Sequence, residues 1–191
     1  MSFQLAALCL LLGAVETTQR PEIPLHAGER VVLTEINGPV EITASKDSII
    51  RVEFVRIGES SPLPAGSLEV EHLSEAVRLS SADFRRYPEG VRNRLRIELP
   101  ENTRLDVSAV RGELVVDAPL EEVRAVDIRG ALRIQQAGSV EAIDIGGSVA
   151  IVGASTVELR NVRGSASVVT DQDGAVIFRN IDGAVQVREK P

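Results

Sequence analysis

Short polar side chains recur along the second half of the chain at Asp127, Asp144, Asn161 and Asn180, and Ala109 holds the same place one step earlier. The steps between them are 18, 17, 17 and 19 residues. If these positions stack at strand spacing, about 4.8 Å, carboxylates and amides form a column that could take a cation or a glycan. Two carboxylates about 5 Å apart also match the separation used by retaining glycosidases. That distance is automatic in any stacked ladder, so it does not by itself point to catalysis. The plainer role is structural, because Asn and Asp at corners accept hydrogen bonds from nearby backbone N–H groups.

A second concentration of chemistry lies at Phe84-Arg85-Arg86-Tyr87-Pro88, followed by Arg92, Arg94 and Arg96. Guanidinium forks match carboxylates and phosphates, so Arg85, Arg86, Tyr87 and Arg92 form a candidate partner-binding loop. The alternative is a hairpin whose arginines are solvated or pair with Glu89 and Glu98. Asp171-x-Asp173-Gly174 opens like a calcium loop but lacks the third acidic position and the distal Glu, and reads as a turn. His26 and His72 stand alone, which does not make a zinc site. No triad, phosphate-binding loop or dinucleotide motif occurs. The sequence therefore predicts no catalytic residue, no metal and no cofactor.

Composition narrows the partners. The 191 residues carry 21 Lys+Arg against 28 Asp+Glu, a net charge of −7. Nucleic acid is excluded as the main partner, because phosphate binding needs a basic face. Aromatic residues are only 3%, too few for base stacking or a flat sugar platform.

Residues 5–15 read LAALCLLLGAV, an uncharged apolar run followed by polar ETTQRPE. The run is shorter than the roughly 20 residues a spanning helix needs. It fits the core of a secretory signal peptide, giving a probable leader at 1–19; the alternative is a buried N-terminal strand or helix. Cys9 is the only cysteine and lies inside this run. With the leader removed, the mature chain would hold no thiol, no disulfide and no transmembrane segment.

One pattern organises the remainder: apolar-x-apolar-x-x-apolar-x-Gly-x-apolar-x-apolar. It appears at 31–42, 105–116, 123–134, 140–151, 157–168 and 176–187. Val123, Ala125, Ile128, Gly130, Leu132 and Ile134 alternate by two with one three-residue step, which is strand geometry broken by a bulge or corner. Gly38, Gly112, Gly130, Gly147, Gly164 and Gly183 then supply either a positive φ or a close backbone approach. No segment after residue 20 has helical spacing. A period this short fits one coil of a β-solenoid, in which each coil buries the next. An antiparallel β-sandwich of hairpins is the alternative.

Residues 20–100 are less regular. Strands are expected within 29–58, with turns at Asn37-Gly38 and Lys46-Asp47, and at 68–72, 76–81 and 93–100. This block is expected to form the first coils and a cap, continuous with regular repeats over 101–191. The closing VREKP has residue types that discourage edge pairing, although an exposed terminal coil could still add a strand end to end.

RIELPENTRLDVSAVRGELVV (96–116), the glycine-centred coils after it and INGPVEI (36–42) resemble the DUF4097 family of adhesin-like proteins with β-strand repeats. The resemblance covers about residues 29–190 and implies an exported bacterial β-solenoid, periplasmic or at the cell surface. It carries no active site. The expected function is a non-enzymatic binding or scaffold module for an envelope component or another protein. The alternative is a polysaccharide-acting enzyme on a β-helix.

Overall fold

The computed structural model describes residues 15–58, 68–81 and 89–190. These form fourteen β-strands and no helix. The leader's residues 1–14, Cys9 included, and the loop residues Arg85, Arg86 and Tyr87 lie outside the described residues. Among the described residues no helix is long and apolar enough to cross a membrane.

Four long strands dominate: β10 (Leu114–Ile128), β11 (Leu132–Ile145), β12 (Val149–Val162) and β13 (Ala166–Ile181). All fourteen strands belong to one sheet, and the two parts of β10 have different neighbours, its start pairing with residues 40–43 and its later part with residues 104–110. All successive pairs are parallel, as is the pairing of β13 with β14 (Val185–Glu189). Equivalent residues step from Leu114 to Leu132, Val149, Ala166 and Val185. Equivalent positions of successive repeats are therefore paired in parallel, and antiparallel hairpins do not describe this half.

The inward positions follow the alternation. Val123, Ala125 and Ile128 face Leu114 and Val116 across the interior, and all five are fully buried. The same positions in neighbouring rungs hold Val140, Ala142 and Ile145, then Val157, Leu159 and Val162, again at most 2% exposed. Each rung covers its neighbour's apolar surface, so burial per rung comes mainly from stacking.

The three-residue step has a definite backbone cause. Ala109, Asp127, Asp144, Asn161 and Asn180 all have φ between 54° and 59°, and Glu35 repeats this at 56°. A left-handed residue turns the chain so that Ile128 points inward after Ala125, and the inter-strand register passes over Asp127. Asn and Asp tolerate this conformation better than other residues bearing a Cβ. The glycines three residues later do something different. Gly112, Gly130, Gly147, Gly164 and Gly183 do not have positive φ, but a Cβ on any of them would lie 2.3–2.8 Å from the backbone of the preceding rung. From Gly130 upward the amides donate to the carbonyl of the glycine below, Gly130 to Gly112 and Gly147 to Gly130 at 3.0 Å each, Gly164 to Gly147 and Gly183 to Gly164 at 3.2 Å each. Gly38 alone in the column combines a positive φ, 115°, with a close approach to the Asn93 carbonyl.

This corner keeps a constant length. Val123 to Leu132, Val140 to Val149, Val157 to Ala166 and Val176 to Val185 are each nine residues apart. The opposite corner varies: Leu114 to Val123 is nine, Leu132 to Val140 eight, Val149 to Val157 eight and Ala166 to Val176 ten. The uneven steps of the repeat arise entirely at that second corner.

Toward the other end, β3 (Arg30–Ile36) and β4 (Val40–Ser45) form a rung directly beneath β9 (Arg104–Val110) and the start of β10. Beneath them lie β7 (Ala76–Ser81) and β8 (Val91–Pro100), also parallel. Chain order and spatial order differ here, because the β3–β4 rung is inserted between two later ones. Antiparallel strands finish this end. β5 (Ile49–Gly58) runs against β8, and β6 (Leu68–His72) against β7. β1 (Val15–Gln19) and β2 (Glu22–Pro24) both pair with β5.

Between β4 and β5, Asp47 accepts from Arg51 at 3.0 and 2.5 Å and from Ser45 at 2.8 Å. The Arg51 hydrogen bond, then that of Ser45, holds the Asp47 carboxyl well below the usual carboxylate range. The ion pair is intact above that range and is lost only as pH falls beneath it. Both groups are exposed, so its effect on stability is small.

Two measurements check this account. In denaturant unfolding, Gly147→Ala is expected to cost about 1–3 kcal/mol through overpacking. Ala109→Gly, only one column away, is expected to stabilise by up to about 1 kcal/mol by relieving a left-handed alanine. In an NMR titration, the Asp47 midpoint should lie below that of an ordinary aspartate, and Arg51→Gln should raise it.

Candidate functional site

The left-handed column and the residues two places after it open a groove of about 790 Å³ along the glycine corner. Asp127, Asp144, Asn161 and Asn180 lie along one side, with Arg129, Gly146, Arg163 and Asp182 on the other. Both sets of side chains are exposed, because the corner turns outward while Ile128 and Ile145 turn in. The polar residues singled out from the sequence are thus brought together.

Their chemistry is partly internal. The Asn180 amide donates to Asn161 Oδ1 at 3.0 Å, and the Asn161 amide donates to Asp144 Oδ1 at 2.7 Å. The amides hold the upper part of the column in a single file. Backbone conformation accounts for why these residues are Asn and Asp, so the column alone does not establish a ligand.

The second column is more informative. Reading up the stack, the positions are Arg111, Arg129, Gly146, Arg163 and Asp182. Gly146, where a Cβ would meet the Arg129 carbonyl at 2.4 Å, puts no side chain between two arginines that are two rungs, about 9–10 Å, apart along the stack. Among the described residues, neither Arg129 nor Arg163 has a side-chain hydrogen bond or ion pair. Several other arginines on the rungs are paired, Arg30 with Asp106 at 3.2 Å, Arg124 with Glu141 at 2.8 Å and Arg104 with Glu121 at 3.3 Å. Two unpaired guanidinium groups flanking an empty position on an acidic protein make an anion-accepting slot. Gly146 stands beside the repeat glycine Gly147 and belongs to no motif, so the motif pattern alone does not show the slot. Comparing the residue just before the repeat glycine from copy to copy would have exposed it.

A second concavity, about 460 Å³, lies over β2, β4, β5 and β8. Its charges neutralise one another. Arg20 meets Glu53 at 2.7 Å, Arg96 meets Glu41 at 2.9 Å, and Arg51 meets Glu22 and Glu98 at 3.5 and 3.7 Å. It has no free cation to offer a ligand. Arg92 is exposed on β8 opposite Ile57 and does not line the groove on the glycine corner. The described residues contain no group of three or more His, Cys, Asp or Glu placed to hold a metal ion.

No family model and no curated protein matches the chain. Among solved structures, the chain is similar to a candidate cell adhesion protein from Clostridium sporogenes, with 14% identity and a TM-score of 0.49 over 92% of this chain and 100% of that one. It is also similar to a candidate adhesin from Bacteroides fragilis, with 10% identity and a TM-score of 0.49 over 91% and 97% of the two chains.

The amide file can be tested through charge. Asn161→Asp replaces the donor to Asp144 with a second carboxylate one rung away. A loss of about 1 kcal/mol is expected at pH 7 from the missing hydrogen bond and the repulsion. Like-charge proximity raises carboxylate pKa in the folded variant, so the loss should shrink between pH 7 and pH 4 relative to wild type. Chemical denaturation at the two pH values measures it.

Proposed function

We propose that this chain is a non-enzymatic, exported β-solenoid that acts as a binding module at the cell envelope, with the glycine-corner groove as its recognition surface. The observation that carries the reading is the pair of unpartnered arginines, Arg129 and Arg163, held across the Gly146 notch. The ligand they fit is an envelope polymer bearing spaced carboxylates. The neighbouring Asp and Asn column offers hydrogen-bond partners to its hydroxyls. Long rows of stacked rungs suit such a ligand, since both repeat along one axis. The resemblance to DUF4097 adhesin-like proteins points in the same direction. Because the groove is open and its charges are exposed, binding should be weak per site and salt-sensitive.

The groove is preferred to a catalytic reading because the carboxylate spacing in its column is what any stacked ladder gives. Isothermal titration with an oligogalacturonate, and with its uncharged methyl ester, tests the proposal. Wild type should bind the acid form and not the ester, and Arg129→Glu/Arg163→Glu should weaken binding at least tenfold. Equal binding by the variant, or no binding of the acid form, overturns the assignment. Cleavage of the oligosaccharide by wild type would overturn the non-enzymatic part.

A further inference from the structure

The two ends of the stack differ. At the β6 end the core is sealed, and Ile50, Val77 and Leu79 are fully buried beneath antiparallel strands. At the other end, Val185 and Val187 are 43% and 49% exposed. Their equivalents one rung below, Ala166 and Val168, are 1% and 0% exposed, and every earlier rung gives at most 2%. Val176, Phe178 and Ile181 sit only partly buried where the rung below holds fully buried Val157, Leu159 and Val162. These are core positions that lack the next rung, rather than scattered surface apolar residues.

Two backbone edges frame this apolar face, one along β14 and one along the second half of β13. β14 has β13 on one side and no described strand on the other. The second half of β13, from Ala175 to Ile181, has β12 on one side and no described strand beyond it. A single added strand would satisfy one edge and leave the other open with the core between them. A second copy related by a two-fold axis across the end presents both edges at once, each antiparallel to its counterpart, and sets apolar face against apolar face. Antiparallel strands already close the opposite end of this same chain. A head-to-tail contact would instead press the open core onto β6 and β1, whose residues LEVEH and VETTQ are mainly polar.

We infer that the chain forms a closed, end-to-end dimer through its last rung, with β14 pairing to β14 and the second half of β13 pairing to its counterpart. The basic and acidic residues of VREK do not prevent this, since they occupy one edge only while AVIFRNI on the other has a single charge.

Sedimentation equilibrium of the full chain in reducing buffer, over a hundredfold dilution, provides the test. A monomer–dimer equilibrium that stops at the dimer is expected. Phe178→Glu/Val187→Glu should weaken association at least tenfold while leaving the far-UV circular dichroism unchanged. Val152→Glu, at a comparably exposed valine on the side of the stack, should associate like wild type. A monomer at every concentration, open-ended growth, or association unchanged by the Phe178/Val187 variant overturns the inference.

Discussion

Everything in the array depends on how closely one rung's backbone approaches the next at the glycine corner. The approach leaves no room for a Cβ, and from Gly130 upward each corner-glycine amide bonds to the glycine carbonyl beneath it. Three residues earlier a left-handed residue resets the alternation. Together they fix nine residues between inward positions on either side of the corner, rung after rung. The far corner has no such constraint and takes up differences of one or two residues. A fixed corner opposite a variable one explains how repeats of unequal length keep every apolar side chain in register.

A rigid corner also sets side chains in columns, and columns are where recognition chemistry can accumulate. The backbone demands only that the left-handed position tolerate positive φ, which Asn and Asp do. The position two residues later, where Arg129, Gly146 and Arg163 stand, does not need positive φ, although a Cβ at Gly146 would meet the Arg129 carbonyl at 2.4 Å. Residue types dictated by conformation carry little functional information. Types left free by conformation, and placed against an unfilled notch, carry more. For that reason the second column, and not the more conspicuous acidic one, locates the proposed ligand slot. The fold supplies only the spacing.

Much of this was legible in the sequence. The apolar alternation, the three-residue step and the recurring glycine lead directly to stacked strands, because each reflects a local geometric need. The order of the rungs was not legible. Nothing within residues 30–45 distinguishes a first rung from one inserted between β7–β8 and β9–β10. That choice is made by which strand edges meet, a long-range property with no local signature. The glycine role was readable only as two alternatives, since positive φ and close approach both select glycine. The structure separates them: Gly112 through Gly183 answer to contact, and only Gly38 in that column answers to both.

Arrays of this kind gain stability from each contact between neighbouring rungs, so every added rung is covered except the last. An end can be closed by changing strand direction, which breaks the repeat and stops growth. Residues 49–58 and 68–72 do this at one end, at the expense of regularity in that half of the chain. At the other end the repeat runs unchanged to Glu189, and Val185 and Val187 keep the residue type of core positions even though nothing described covers them. Solvent alone would favour polar side chains at those two places, as at the outer edge of β6. In the dimer inferred above, a second copy would cover these two side chains, which separates the chemistry of the end from that of the groove along the side.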